Sequence, residues 1–392
     1  MGALSLSAPY IGEREVELVT QVLRTDRLSM GPMLERFEAA VAGFVGVRHA
    51  AAVSSGTAGL HLAVVAAGVG HGDGVITTPF SFVASANCIL YEGGTPIFVD
   101  IDPLTRNLDP AGVTQAVADL EAGGAAARRW LPPTFRRQRA APCRPKALLP
   151  VHVFGHPCAM DRLMAIAEAH GLRVIEDACE ALGATFQGRS VGAFGDCGVF
   201  AFYPNKQITT GEGGILVTDD DEWARLFRSL RNQGRDDDVA WLRHTRLGYN
   251  YRLDELSAAL GVAQMERIDE LLARREQVAR WYTERLVEID GIQAPSVGPG
   301  VTRMSWFVYV VQLAPEVERD GVMEKLAERG VPTRPYFTPL HLQPFYRQRF
   351  GYREGMFPVA ERVASSTLAL PFSGRMTEAQ VERVCRVAKE VL

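Results

Sequence analysis

Between about Gly46 and Thr218, short apolar runs alternate with longer segments whose apolar residues recur at helical spacing. VITTP (75–79), TPIFVD (95–100), ALLPVHVFG (147–155) and LRVIED (172–177) are nearly unbroken apolar runs, the pattern of strands buried on both faces. GTAGLHLAVVAAG (56–68), SFVASANCILYEGG (81–94) and AMDRLMAIAEAHG (159–171) have helical periodicity and end on glycine. Strands alternating with helices predict an α/β fold, with a mostly parallel sheet flanked by helices. GVFAFYP (198–204) and GGILVTD (213–219) flank a loop and predict an antiparallel excursion.

The pattern changes near residue 250. LDELSAALGVAQMERIDELLARREQVARWYTERLVEI (253–289) is helical in period and free of proline, so it is one long helix or a broken one joining two domains. WFVYVVQL (306–313) then predicts a strand, and VERDGVMEKLAERG (317–330) and TEAQVERVCRVAKEVL (377–392) predict helices. The expected division is a large domain over 12–248 and a smaller α+β domain over 249–392, linked through 253–289. No internal repeat is visible.

Composition narrows the class. Hydrophobic residues make up 47% and charged residues 22% of the 392 positions, ordinary globular usage that excludes disorder for most of the chain. With 42 basic against 46 acidic residues, no global charge calls for nucleic acid or an anionic membrane. No apolar run approaches the ~20 residues of a membrane span. The stretch MGALSLSAPYIGERE lacks the basic head and apolar core of a secretory signal. Six cysteines without a CxxC pair read as free thiols, so a cytoplasmic location is expected.

One segment departs from this balance. From Ala122 to Met160 there is no acidic residue, while Arg128, Arg129, Arg136, Arg137, Arg139, Arg144 and Lys146 are basic, and Pro132, Pro133, Pro142 and Pro145 interrupt the pattern. A solvated loop and an anion-attracting flap beside a phosphorylated substrate both remain open for the insertion at about 122–146.

Three motifs carry chemistry. In VSSGTAGLHLA (53–63) a strand end runs through Ser54-Ser55-Gly56-Thr57 into a helix, whose unpaired N–H groups form a seat for phosphate. In VIEDACEALGA (174–184), Glu176 and Asp177 end a buried strand, where ligands of open α/β sheets bind. One of the pair can cap the next segment; an aspartate under a pyridine ring can keep its nitrogen protonated and make the ring an electron sink. In AFYPNKQITTGEGG (201–214), Lys206 lies among small and hydroxyl-bearing residues that let a ligand approach the backbone. An amine held there can capture an aldehyde. A phosphate seat, an acid for a ring nitrogen and an amine for an aldehyde are together what pyridoxal 5′-phosphate (PLP) requires.

With these motifs the chain resembles the DegT/DnrJ/StrS family of nucleotide-sugar aminotransferases, PLP enzymes of fold type I. Further matching stretches are TPFSFVASAN, GGTPIFVDID, PVHVFGHPCAMD, GYNYRLDELSAALG and TRPYFTPLHLQPFY. The resemblance implies Lys206 as the Schiff-base lysine and proton shuttle, and Asp177 as the partner of the pyridine nitrogen. It implies Phe82 as the ring stacked on the cofactor and Gly56, Thr57 and Ala58 as the phosphate turn. It puts Glu180 near the phenolic oxygen, where relatives often have Gln or His. Asn250 matches a residue reaching the phosphate from the neighbouring subunit, which implies a homodimer with interfacial sites. Ala201 replaces a serine common five residues before the lysine. Tyr309, Arg334 and His341 resemble positions near the sugar-binding mouth, although packing or interdomain hydrogen bonds explain each equally well.

The implied activity is transfer of an amino group from L-glutamate, through the pyridoxamine 5′-phosphate form, to a nucleotide-linked keto sugar, at C4 or C3 of a 6-deoxyhexose. A PLP-dependent sugar dehydratase or aminocyclitol aminotransferase is the alternative; dehydratase relatives carry His at the lysine position. A non-catalytic regulatory or binding homologue is the third reading. His152, His156 and Cys158 have metal-ligand chemistry but no matching second cluster, so no metal is expected. GVGHGDG (68–74) does not satisfy GxGxxG, and Asp236-Asp237-Asp238 reads as a surface loop.

Overall fold

A computed structural model describes residues 4–135, 143–236 and 243–392. Its main sheet has seven strands in the order 49–53, 214–218, 197–201, 173–177, 144–148, 73–77, 95–98. Gly214–Thr218 alone runs antiparallel to its neighbours; the other pairings are parallel. The unbroken apolar runs have a simple cause. Val53, Val75, Ile175, Val199 and Leu216 belong to the core on one face, and their chain neighbours Ala52, Ile76, Val174, Phe200 and Ile215 to the cores on the other.

Helices Gly56–Ala66, Ala84–Tyr91 and Asp221–Arg231 cover the first face. Helices Glu13–Leu23, Pro32–Val45 and Glu255–Glu266 cover half of the second, and Pro110–Ala122 and Met160–His170 the rest. A four-stranded antiparallel sheet, in the order 292–293, 309–313, 367–370, 334–335, builds a separate core with helices Ile268–Leu286 and Glu378–Val391.

The helical stretch 253–289 is two helices, parted at Arg267 (φ −127°, ψ 23°). The first packs among the N-terminal helices and the second against the four-stranded sheet. We propose keeping the domain division at 248/249, with helix Glu255–Glu266 reaching back onto the large sheet. That helix also fixes the chain's N-terminal part. The Glu255 carboxylate accepts hydrogen bonds from the Gly31, Met33 and Leu34 amides at 2.9–3.0 Å, capping helix Pro32–Val45, whose own N-cap is glycine.

The run 147–155 is a strand only to Leu148. Pro150 has no amide hydrogen to give, and Phe154 (φ 59°) and Gly155 (φ 82°) adopt left-handed conformations in a short 3₁₀ turn. In the basic segment, Arg136, Arg137, Arg139 and Pro142 lie outside the described residues, as do Asp237 and Asp238. The preceding part is docked: Trp130 Nε1 donates to Asp119 at 2.7 Å, Arg129 pairs with Asp119, and the Thr134 amide donates to Phe350 O at 3.1 Å.

Central strand Arg173–Asp177 ends in two buried carboxylates that point to opposite faces. Glu176 faces away from the cavity described below. It accepts from the amides of Gly192, Phe194 and Gly195 at 2.6–2.8 Å and pairs with His152 Nε2 at 3.1 Å. Its oxygens therefore close the turn that leads into strand Cys197–Ala201. Glu176→Ala leaves three buried or half-buried amides without partners. The expected loss is about 3–5 kcal/mol of folding stability by urea denaturation, whereas Glu354→Ala on the exposed surface leaves the midpoint in place.

Candidate active site

A cavity of about 440 Å³ opens beyond the carboxyl end of the central strands, between the two sheets. The large-sheet side supplies Ser55–Thr57, Phe82, Ser85, Asp177, Cys179, Glu180, Ala201, Asn205 and Lys206, and the other side Phe307, Tyr336 and Phe337. Lys206, Asp177, Glu180, Gly56, Thr57 and Phe82, separated by up to 150 positions in the chain, thus share one space.

Asp177 is 4% exposed. Its Oδ2 accepts from Ser85 Oγ at 2.6 Å and its Oδ1 from the Cys179 amide at 3.1 Å. Ser81 Oγ donates in turn to Ser85 Oγ at 3.0 Å, a relay that fixes the carboxylate's plane. Each oxygen keeps a lone pair for a further donor in the cavity.

The Lys206 ammonium lies 3.6 Å from Glu180 Oε1 and 3.9 Å from the centroid of the Phe307 ring. Arg275 binds the Lys206 carbonyl from behind and donates to Phe307 O at 3.2 Å, tying the lysine loop to the second domain. The other Glu180 oxygen accepts from the Phe154 amide at 2.9 Å. Burial pushes the Glu180 carboxyl above its ordinary value, against the pull of Lys206 and the Phe154 amide. Burial likewise pushes Tyr336 up to about 12 and the Cys179 thiol well above the usual range, so Cys179 is a neutral wall of the cavity and no nucleophile.

Helix Gly56–Ala66 points its N-terminus into the cavity. The Ser55 hydroxyl caps it by accepting from the Ala58 amide at 3.1 Å. That contact engages the Ala58 amide, and Ala58 is buried off the cavity wall. Ser55, Gly56 and Thr57 therefore line the cavity, and Ala58 does not. A Cβ on Gly56 would stand 2.7 Å from Ala201 Cβ and 2.9 Å from Cys179 Sγ, so only glycine fits there. Phe82 is 61% exposed and stands at the cavity with no packing over much of its ring.

The remaining candidates lie elsewhere. Asn250 is exposed in the loop before helix Glu255–Glu266 and is not on this chain's cavity wall. Tyr309 is 0% exposed in the core of the small sheet, stacked on Tyr282 and bonded to Thr283 Oγ1 at 2.7 Å, out of a substrate's reach. His341 is equally buried, with Nε2 2.8 Å from Glu361 Oε1. Arg334 is exposed on an edge strand, two residues before Tyr336. His152 and His156 are engaged structurally: the Cys158 amide donates to His152 Nδ1 at 3.0 Å and the Gly298 amide to His156 Nε2 at 2.8 Å. Sequence reasoning missed Ser85 and Phe307, because nothing in a periodic pattern pairs a helix hydroxyl or a strand-end aromatic with residues 100 or so positions away.

The residues present fit PLP. A helix N-terminus whose first residue tolerates no side chain suits a phosphate, and a buried carboxylate with open lone pairs suits a pyridinium N–H. A partly buried amine faces the same space, beside a flat exposed ring.

Comparison with known proteins agrees. Residues 9–389 match the profile of the DegT/DnrJ/EryC1/StrS aminotransferase family. The chain is 38% identical to the GDP-perosamine synthase of Caulobacter vibrioides over 99% of its length and 98% of that protein's. It is 35% identical to the UDP-N-acetyl-3-dehydro-alpha-D-glucosamine 3-aminotransferase of Acidithiobacillus ferrooxidans, covering 95% of this chain and 92% of the other. Among solved structures, the aminotransferase TlmJ from Streptoalloteichus hindustanus superposes with a TM-score of 0.86 at 31% identity, covering 99% and 98% of the two chains. The chain belongs to the DegT/DnrJ/EryC1/StrS aminotransferase family and is a PLP-dependent aminotransferase.

Proposed function

We propose that this enzyme moves the amino group of L-glutamate to a nucleotide-linked keto sugar, at C4 or C3 of a 6-deoxyhexose, in the assembly of an amino sugar for a glycan or an antibiotic. The convergence of Lys206, Asp177 and the N-terminus of helix Gly56–Ala66 on one cavity carries the reading. The names of two relatives similar over nearly their full length, each with a nucleotide-linked sugar in it, support the acceptor class. A lysine at position 206, where dehydratase relatives carry histidine, favours amino transfer.

Each side chain has a definite task. Bound in the cavity, PLP supplies an electron sink for the substrate carbon that loses its proton. Gly56 and Thr57 offer backbone N–H groups to the phosphate, reinforced by the helix dipole. Asp177, held in plane by Ser85 and the Cys179 amide, keeps a proton on the ring nitrogen. Phe82, exposed at the cavity, would flank the ring. Lys206 Nζ would hold the cofactor at its aldehyde carbon and would move the substrate proton as general acid–base. Phe307, Tyr336 and Phe337 wall the cavity on the small-sheet side and exclude water.

We further propose a homodimer in which Asn250 completes the neighbouring subunit's phosphate seat. Its exposure in this chain and the 84% exposure of nearby Leu247 support a covered surface there. A cytoplasmic location accords with six free cysteines, and among the described residues no helix is long and apolar enough to cross a membrane.

Lys206→Ala is expected to abolish both the visible absorbance of lysine-bound cofactor and turnover; wild-type activity in that variant would sink the reading. Asp177→Asn should lower turnover by about two orders of magnitude or more while the fold persists, as judged by circular dichroism. For the dimer, mixing inactive Lys206→Ala and inactive Asn250→Asp chains after subunit exchange should restore about a quarter of the wild-type rate, because one site of each hybrid is intact. No restoration would place Asn250 outside the neighbour's site.

A further inference from the structure

Glu180 has more to do than line the cavity. It is 6% exposed, and its Oε1 is the carboxylate oxygen that pairs with Lys206 Nζ, at 3.6 Å. Its second oxygen is anchored by the amide of Phe154 at 2.9 Å, in the 3₁₀ turn Val153–Gly155. Its own carbonyl is fixed by Gln207 Nε2 at 2.6 Å, and Gln207 is the residue after the lysine. The acid and the amine are thus positioned by one short stretch of backbone.

We propose that Glu180 is the proton partner of Lys206: the two share a single proton, and the carboxyl takes it up whenever the amine must be uncharged. This rests on the aminotransferase reading of Lys206. In the step, an Nζ–H bond breaks and its electron pair stays on nitrogen, while the proton forms an O–H bond at Glu180 Oε1. An ammonium–carboxylate pair becomes an amine and a carboxylic acid, and the net charge is zero before and after. Rotation of the flexible lysine stem closes the remaining gap.

The physical cause is desolvation. A lone charge at this depth is costly, but either neutral-sum state of the pair is tolerated. Burial already favours the protonated carboxyl at Glu180. The other groups facing the pair do not supply the same exchange. Asp177 is bonded to Ser85 and the Cys179 amide, and Cys179 is a neutral thiol. Tyr336, from the small-sheet side, is held as the phenol by burial and by Glu180 itself, with Arg334 pulling the other way. Arg275 is turned to backbone carbonyls and Glu212 is exposed at the rim. Glu180 acts through the lysine and is a positioning residue.

The test titrates the full chain freed of cofactor, so no turnover is read. The pH dependence of Lys206 acylation by acetic anhydride gives the amine's midpoint. In Glu180→Gln that midpoint should fall by about one pH unit or more, a tenfold or greater loss of proton affinity, because the ammonium loses its counter-charge. Glu180→Asp should restore part of the shift. Reciprocally, in Lys206→Met the infrared carboxylic-acid band of isotope-labelled Glu180 should persist to higher pH by the same amount, since coupling between two sites is symmetric. This arm stands even where Glu180→Gln folds poorly. Smaller shifts in either variant would overturn the proposal. A different acceptor sugar, or none, would undo the proposed function and leave both titrations as they are.

Discussion

Two ionisable carboxylates buried at the end of one strand set the terms for the rest of the structure. Asp177 and Glu176 are adjacent, so the alternation of a β-strand sends them to opposite sides of the central sheet. Neither is solvated by bulk water, and a buried carboxylate is tolerated only where donors surround it. Glu176 collects its donors from protein alone, three amides and a histidine, and is structural. Asp177 is met by the Ser85 hydroxyl and the Cys179 amide and lines the cavity. The difference in saturation between neighbouring residues of like chemistry separates a support from a site.

That contrast explains what was legible in the chain. The doubly buried strands, the antiparallel pair and the glycine-terminated helices follow from period and composition, and the three chemical motifs follow from what strand ends and helix starts offer a ligand. What one sequence does not display is pairing across distance. Glu255 caps a helix more than 200 positions earlier, and Ser85 holds Asp177 across 92 positions. A broken helix was one of two readings open for 253–289, but its break at Arg267 has no signal in the spacing, because both halves are apolar along a face.

The positions taken from resemblance near the mouth divide on the same principle. Tyr309 and His341 have polar tips that suggest a ligand, but the Tyr309 hydroxyl is met inside the protein by Thr283 and the His341 Nε2 by Glu361. Burial of an amphipathic ring with its polar atom bonded is the ordinary way a core takes tyrosine or histidine. Arg334 is exposed, and Tyr336 and Phe337, two and three positions on, are the residues of that loop on the cavity wall.

On the proposed reading, the turn at Gly56 would hold the cofactor phosphate without a hydroxyl from position 201, which is alanine in this chain. Ala201 Cβ stands against the space above Gly56, so a side chain at position 56 would collide with it. The room is given to backbone. A phosphate placed there would meet amide hydrogens and the positive end of a helix of 11 residues, contacts made by the main chain. On the proposed reading, cofactor anchorage therefore rests on main-chain geometry in this chain and on Asn250 from its neighbour, which leaves the side chains around Lys206, Glu180 above all, free to set protonation and not grip.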